Sequence, residues 1–167
     1  MIMSKNFAFG VGGLLAVAAI VAGWMLFSTP PPAKAQTMTV HKTPWCGCCT
    51  EWVDHLRDNG FDVVVKEAED LSPVRAELDV PDRLMSCHTG EIEGYAIEGH
   101  VPAAEIARLL KERPQATGLS VPGMPQGSPG MESSNPPDTY DVVIFSPEQT
   151  GIYASYRGTQ KLAGPAD

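Results

Sequence analysis

A chain of 167 residues is long enough for one domain with a core of its own, and a composition of 43% hydrophobic and 19% charged residues excludes a wholly disordered protein. Its formal net charge at pH 7 is −8, from 12 cationic and 20 acidic side chains. Because the cationic residues are scattered and outnumbered, the sequence excludes an electrostatic nucleic-acid-binding surface.

The N-terminus has the pattern of an export segment. Lys5 precedes an uncharged, mostly apolar run at 7–27, and the sequence Ala-Lys-Ala at 33–35 matches an A-x-A cleavage site. Residues 1–35 are therefore either a cleaved signal peptide, as the cleavage site indicates, or a retained anchor, as the length of the apolar run indicates. Under both interpretations we expect the rest of the chain in the periplasm, either free or anchored to the inner membrane through 7–27.

Hydrophobic periodicity predicts alternating strands and helices in a single domain at 36–160. In chain order, the first elements are a strand at 38–42, a helix from about 48 to 59, a strand at 61–65 and a short helix at 72–78. They are followed by strands at 87–92 and 95–98, a helix at 102–113, a Pro/Gly/Met-rich loop at 114–138, a β-hairpin from 140–145 and 152–156, and a flexible tail at 161–167.

This order, with a cysteine motif at the first strand-to-helix turn, resembles the thioredoxin-like fold. We therefore expect an α/β domain with a mixed central sheet flanked by helices and an added C-terminal β-hairpin. In that fold the first, second and fourth strands run in one direction and the third runs in the other. Such a sheet brings residues 46–49, Cys87-His88 and His100 to one rim.

The four cysteines of the chain, at 46, 48, 49 and 87, all lie on this predicted rim. In an oxidising compartment, two structural disulfides are one interpretation. Adjacent cysteines such as Cys48 and Cys49 serve two bridges poorly, however. A bond between Cys46 and Cys49 closes so short a loop that it constrains the unfolded chain little.

A second interpretation is a thiol–disulfide oxidoreductase with Cys46 and Cys49 as its redox pair. The two residues form a C-x-x-C motif at a helix N-terminus, where the helix dipole favours thiolate, and Trp45 precedes them as in dithiol oxidoreductases. The additional Cys48 argues against this interpretation. So does the stretch before Cys87, which lacks the proline that thioredoxins hold opposite their dithiol.

A third interpretation is a soft-metal site. Thiolate, thioether and imidazole ligands select Cu(I), and thiolates bridge more than one ion. His88 and His100 are placed to complete the site or to orient its ligands. Zinc is less favoured, because structural zinc sites usually pair two separated cysteine knuckles and Cys87-His88 makes a poor second knuckle.

Methionines and the other histidines add further candidates. Met124 and Met131 end two Pro-Gly-Met turns in the polar loop, where they are either incidental or thioether ligands to copper from a loop that folds over the rim. His55 is expected to face solvent, since it lies among acidic residues on the first helix. Met38 is most simply part of the core, whereas the role of His41 is open.

Five ordered motifs resemble the CopG-like family of exported bacterial proteins, which are often described only as metal-binding. They are TPWCGCC at 43–49, SCHT at 86–89, GY at 94–95, EGHVPA at 98–103 and VPGMPQGSPGME at 121–132. The resemblance extends over about 38–157. It implies a thioredoxin-like domain of copper-resistance systems that binds a cysteine-bridged copper cluster and interconverts copper oxidation states.

Carried over by motif, the implied ligands are the four cysteines, with His88, His100, Met124 and Met131 as further contributors. The implied partners are copper ions, more than one per chain, and other exported copper-handling or redox proteins. A periplasmic thiol–disulfide oxidoreductase that uses Cys46 and Cys49 remains the alternative function.

Overall fold

The structure is a computed structural model that describes residues 37–164. The predicted signal peptide or anchor at 1–35 and the end of the predicted tail, at 165–167, lie outside the described residues. Within 37–164, no helix is both long and apolar enough to cross a membrane.

The described chain is a mixed α/β protein. Its strands are β1 (Thr37–Lys42), β2 (Asp62–Glu67), β3 (His88–Ile92), β4 (Tyr95–Glu98), β5 (Gly118–Ser120), β6 (Thr139–Phe145), β7 (Thr150–Arg157) and β8 (Gln160–Lys161). Its helices are α1 (Gly47–Asp58), α2 (Ser72–Glu77) and α3 (Ala103–Glu112), and a 3-10 turn spans Asp82–Leu84. All elements predicted up to the end of α3 are present.

Within residues 37–164, the strands form one mixed sheet in the order β2-β1-β3-β4-β5-β6-β7-β8. Strand β1 is parallel to β2 and antiparallel to β3, and β3 is antiparallel to β4. Hence β1, β2 and β4 run in one direction and β3 in the other, as predicted. In this register Lys42 lies opposite His88, and Thr89 lies opposite Glu98, so the ends of β1 and β4 meet the start of β3.

The prediction of an uninterrupted loop at 114–138 is wrong. Strand β5 lies within it, pairs parallel with β4 and antiparallel with β6, and thereby joins the predicted hairpin of β6 and β7 to the sheet. Gly118 lies against the backbone of Ala96, where a Cβ atom would overlap the Ala96 carbonyl group. A three-residue strand whose only large apolar side chain is Leu119 carries no periodicity for sequence analysis to detect.

The predicted flexible tail at 161–167 also begins one residue too early. Lys161 belongs to β8, where it pairs with Tyr156 of β7, and its Nζ lies 2.6 Å from Oε1 of Glu105 in α3. This contact joins residues 56 positions apart, so no local pattern could predict it.

The core has two clusters of buried apolar side chains. The larger contains Trp52 of α1, Ile106 of α3 and Ile97 of β4, together with the predicted core residue Met38. The smaller contains Ala96 of β4, with Leu84 of the 3-10 turn and Phe145 of β6. Because Ala96 and Ile97 are neighbours in one strand, the two clusters lie on opposite faces of the sheet.

Candidate metal centre

The four cysteines converge at one rim of the sheet. Cys46 is the residue before α1, Cys48 and Cys49 lie in its first turn, and Cys87 immediately precedes β3. Their four Sγ atoms all lie within 4.8 Å of one another. The rim therefore presents a compact group of sulfur atoms from two segments that the sheet topology brings together.

Two of these cysteines are bonded and two are free. Cys46 and Cys49 form a disulfide, whereas Cys48 and Cys87 are free thiols. The Sγ of Cys48 lies 3.6 Å from the Sγ of Cys46. The oxidised C-x-x-C pair thus lies beside a third sulfur, and reduction of the disulfide would supply four thiols in one place.

The thiol of Cys87 is perturbed by its surroundings. Burial, and after it the neighbouring Cys48, raise its pKa to about 12. At neutral pH this thiol therefore stays protonated unless a cation compensates the thiolate charge. Metal binding at Cys87 would accordingly release a proton.

Two buried histidines flank Cys87. His88 Nδ1 lies 3.3 Å and His100 Nε2 lies 3.1 Å from Cys87 Sγ, and one ligand atom from each of the three residues falls within 4.8 Å of the others. Burial lowers the pKa of both imidazoles, and for His88 the charge of His100 adds to that effect. Both rings are therefore neutral at pH 7, the form that binds metal ions.

In each imidazole, the nitrogen that does not face Cys87 has a different environment: this is Nδ1 in His100 and Nε2 in His88. His100 Nδ1 lies 2.8 Å from the carbonyl oxygen of Pro129, which can only accept, so Nδ1 carries the proton and the Nε2 lone pair faces Cys87. His88 packs on Trp52, with ring centroids 4.2 Å apart, and its buried Nε2 has no hydrogen-bond partner among residues 37–164.

The Pro/Gly/Met-rich segment folds over the cysteine rim. Its first Pro-Gly-Met turn is held at Gly123, whose N–H donates to Met85 and whose carbonyl oxygen accepts from the Ser86 hydroxyl. Its second turn packs on α1, where a Cβ atom on Gly130 would lie 2.6 Å from Trp52 N and 2.8 Å from Cys48 O. Both turns are thus anchored beside cysteine-bearing segments.

The two methionines of these turns differ in exposure. Met124 is 58% exposed, whereas Met131 is half-buried. Gly123, the residue before Met124, contacts the segment that precedes Cys87, and Gly130, the residue before Met131, contacts α1 at Cys48.

Two other histidines lie away from the sulfur group. The prediction that His55 faces solvent is wrong: it is half-buried, and its Nε2 accepts a hydrogen bond from the N–H of Ala103, the first residue of α3. Burial lowers the pKa of His55. His41 is half-buried on β1 and belongs to neither group of possible metal ligands in the described chain.

Sequence analysis missed a buried carboxylate next to the site. Glu98, the last residue of β4, is fully buried and accepts hydrogen bonds from the Ser86 N–H, the Thr89 hydroxyl and the Arg75 guanidinium. Burial raises its pKa, and these hydrogen bonds oppose the rise. All four residues of β4 are buried, so no alternation marked Glu98 as unusual.

An open groove leads to the sulfur atoms. Its lining includes Cys46, Cys87, the acidic residues Glu69 and Asp70, and Trp45, which is 70% exposed. The groove gives solvent and small solutes access to both cysteine-bearing segments.

Comparisons with known proteins identify the family of this chain. The family described as "Protein of unknown function, DUF411" matches residues 84–131, and a search of curated proteins finds no match. The solved structure "Copper resistance protein copG- Form 1" is 45% identical, with a TM-score of 0.71, over 75% of this chain and 100% of that chain. The chain belongs to the CopG copper resistance family. A second structure, "Copper resistance protein copG- Form 2", is 45% identical, with a TM-score of 0.70, over 74% of this chain and 99% of that one.

The predicted CopG membership is therefore confirmed, and the donor atoms at the rim suit a metal centre. The two ligand groups of the described chain contain sulfur and imidazole nitrogen and no carboxylate. Such donors suit soft and borderline ions, whereas Mg²⁺ and Ca²⁺ prefer oxygen. The segment matched by the DUF411 family includes Cys87, His88, His100, Met124 and Met131, which is every predicted ligand outside α1 and its preceding residue.

Proposed function

We propose that this protein binds Cu(I), more than one ion per chain, through the thiolates of Cys46, Cys48, Cys49 and Cys87, and that it serves copper resistance. The observation that carries the proposal is the convergence of four Sγ atoms within 4.8 Å. Four thiolates so close together repel one another unless cations lie between them, and bridging sulfur accommodates several Cu(I) ions. The names of the similar solved structures support copper over zinc.

His88 and His100 are the proposed nitrogen ligands of the same centre. Their nitrogens lie within 3.3 Å of Cys87 Sγ, and burial keeps both rings neutral. Met124 and Met131 are the proposed thioether donors, supported by the anchoring of their turns at Ser86 and Cys48.

The domain is proposed to be thioredoxin-like, with β5–β8 as an extension of its sheet. The order β2-β1-β3-β4, the reversed direction of β3 and the cysteine turn between β1 and α1 support this assignment. The export pattern of residues 1–35 supports a periplasmic location, free or anchored to the inner membrane, with exported copper-handling or redox proteins as partners.

The Cys46–Cys49 pair supports a redox role toward copper as it arrives or leaves, since the two cysteines bind Cu(I) as thiolates only while the pair is reduced. The reduced pair gives one electron to each of two Cu(II) ions, so one S–S bond forms, two Cu(I) ions result and two thiol protons leave. The reverse step oxidises two Cu(I) ions and regenerates the dithiol with two protons from solvent. The disulfide in the structure corresponds to the oxidised end of this cycle.

Anaerobic Cu(I) titration of the reduced protein against a competing chelator tests the proposal, with metal per chain from elemental analysis. We expect tight uptake of more than one copper per chain, lost in Cys48→Ser and in Cys87→Ser. Weak uptake by a protein whose four thiols are reduced would refute it. A parallel zinc titration checks the choice of metal.

The second candidate function is thiol–disulfide exchange, favoured by the disulfide at the N-terminus of α1 with exposed Trp45 beside it. An oxidoreductase of this kind should reduce insulin with Cys46 and Cys49 alone. It should therefore be indifferent to Cys87→Ser, the variant that abolishes copper uptake under the first proposal.

A further inference from the structure

The hydrogen bonds that Glu98 accepts come from one short segment, residues 86–89, and from the Arg75 side chain that supports it. Oε1 accepts from the Ser86 N–H at 2.7 Å and from Arg75 Nε at 3.1 Å, and Oε2 accepts from the Thr89 hydroxyl at 2.6 Å. Its side chain has no exposure, and that of Arg75 is only 14% exposed. The ion pair is therefore withdrawn from water almost completely.

The hydrogen bonds of this pair grip the chain on both sides of Cys87-His88. Ser86, immediately before, is held by its N–H to Glu98 and by its carbonyl oxygen to Arg75 Nη2 at 2.6 Å. Thr89, immediately after, is held by its hydroxyl to Glu98. The four-residue stretch that presents the Cys87 sulfur is thus fixed at its two ends by one carboxylate and its cation.

The same carboxylate belongs to the segment that carries His100. Glu98 is followed by Gly99, whose N–H donates to the carbonyl oxygen of His88 at 3.0 Å. A Cβ atom on Gly99 would lie 2.5 Å from Ser86 Oγ, and its φ of +72° favours glycine. The two segments therefore approach each other closely, with the side chain of Glu98 and the backbone of Gly99 joining them.

The buried Glu98–Arg75 ion pair joins the end of β4 to the segment at Ser86 at an energetic cost. Removing both charges from water is unfavourable, and well-packed apolar side chains of similar volume are often at least as stabilising. What apolar side chains lack is direction, because only hydrogen bonds fix the orientation of the Ser86 amide and carbonyl groups. The pair is thus better suited to holding a geometry than to adding stability.

We propose that Glu98, supported by Arg75 and Thr89, is a positioning residue that holds Cys87 and His100 at ligand distance for Cu(I). This inference rests on the proposed function, since it assigns a task to residues around the same metal centre. Groups that orient metal ligands typically change metal affinity about 10–100-fold when they are removed.

Glu105 provides a matched control for Glu98. It is also a buried carboxylate, with a side chain 2% exposed, and it is bonded by Lys161 and Tyr156 in the part of the fold that β7 and β8 add. The experiment compares Glu98→Gln, Thr89→Val and Glu105→Gln in the full chain. Each variant is measured for unfolding midpoint, for Cu(I) affinity by chelator competition, and for the alkylation rate of Cys87 in the reduced, copper-free protein.

We expect Glu98→Gln to weaken Cu(I) binding about 10–100-fold and Thr89→Val to weaken it less, with faster alkylation of Cys87 in both. Glu105→Gln should lower the unfolding midpoint with wild-type affinity and wild-type alkylation. The inference is overturned if Glu98→Gln and Glu105→Gln lose stability alike while both keep wild-type affinity and Cys87 reactivity.

Two further outcomes also decide the matter. If Glu98→Gln does not fold, the isosteric Thr89→Val variant carries the test, and wild-type behaviour in it overturns the inference. If the wild-type protein itself binds no Cu(I), the proposed function fails. The alkylation rates then still show whether Glu98 orders the Cys87 segment.

Discussion

Two buried glutamates, Glu98 and Glu105, make different kinds of contact in this fold. Glu98, at the cysteine rim, accepts a hydrogen bond from a backbone N–H, and its partner Arg75 donates to a backbone carbonyl group. Glu105, on α3, is contacted by side chains: it accepts hydrogen bonds from Tyr156 and Lys161 and forms an ion pair with Arg108. The first contact pattern fixes the path of a segment, whereas the second ties a helix to neighbouring strands.

The two contact patterns place different demands on the positions of backbone atoms. Strands β7 and β8 are held to α3 through groups at the ends of long side chains, which tolerate small shifts of the backbone. The proposed copper site at the rim tolerates less movement, because a metal ligand displaced by even a fraction of an ångström binds less well. Substitutions at the two glutamates should therefore separate stability from copper affinity.

The largest predicted effect is a loss of stability, which we compare between one residue from each of the two core clusters. Trp52 lies under the rim, fully buried, with its Nε1–H bonded to Val101 O at 2.9 Å and its ring against His88. Phe145 of β6 is 1% exposed in the smaller cluster. Trp52→Ala and Phe145→Ala should each lose about 3–5 kcal/mol of unfolding free energy, measured by urea denaturation.

The Trp52→Ala and Phe145→Ala variants should differ in Cu(I) affinity. Trp52→Ala removes the ring that supports His88, so its Cu(I) affinity should fall under conditions where the variant is still folded. Phe145→Ala should bind as the wild type does. Equal losses of affinity in both variants would show that general destabilisation, and not local support of the rim, controls copper binding.

The next effect tests the side-chain contacts of Glu105. Tyr156→Phe removes the hydroxyl that donates to Glu105 Oε1 at 2.7 Å, a hydrogen bond to a buried carboxylate, and should cost about 1.5–3 kcal/mol. Tyr140→Phe is the matched control: its ring stacks on Tyr156 with centroids 5.7 Å apart, but its hydroxyl donates to the neutral carbonyl group of Gly158. That variant should cost about 1 kcal/mol. Thermal unfolding of the two variants distinguishes the values, and an equal cost would contradict a charged role for Glu105.

The Pro-Gly-Met turns offer a third comparison, within the rim itself. Both glycines have positive φ, +71° at Gly123 and +82° at Gly130, but only Gly130 meets backbone atoms of α1 at the position of an added Cβ. Gly123→Ala should therefore show strain alone, about 1 kcal/mol, and Gly130→Ala should cost about 1–3 kcal/mol because the turn must also move. Hydrogen exchange of residues 121–132 and Cu(I) competition measure that movement. If the two variants show the same exchange rates, the contact of Gly130 with α1 does not hold the turn in place.

The rim was predictable from sequence because its signals are local. Three cysteines stand where a strand pattern gives way to a helical pattern, and the order of elements up to α3 then brings Cys87 and His100 to the same edge. Glu98 gave no such signal, since a carboxylate at the end of a four-residue strand looks the same whether it is exposed or buried. Its partner Arg75 is 23 residues away, and only the folded chain brings the two together.

The outer part of the sheet was less predictable for a related reason. Strand β5 has three residues and β8 has two, too few for an alternating pattern, and both form because their neighbours supply hydrogen bonds. His55 was misjudged by its acidic neighbours on α1. Its burial depends on α3, whose first N–H lies 3.1 Å from its ring.

The smallest predicted effect is a pH dependence of folding stability that arises from the buried histidines. The four histidines of the chain all precede β5, and burial lowers the folded-state pKa of each below 6.5. The unfolded chain therefore binds more protons as the pH falls through 6.5, and copper-free stability should decline between pH 7 and pH 5. His55→Gln, which keeps an acceptor for the Ala103 N–H, should decline less steeply than wild type in urea titrations at pH 7, 6 and 5. From pH 8 to 9 the two proteins should run parallel, since histidine is almost fully deprotonated in both states there; an identical slope below pH 7 would show that His55 titrates alike in both states.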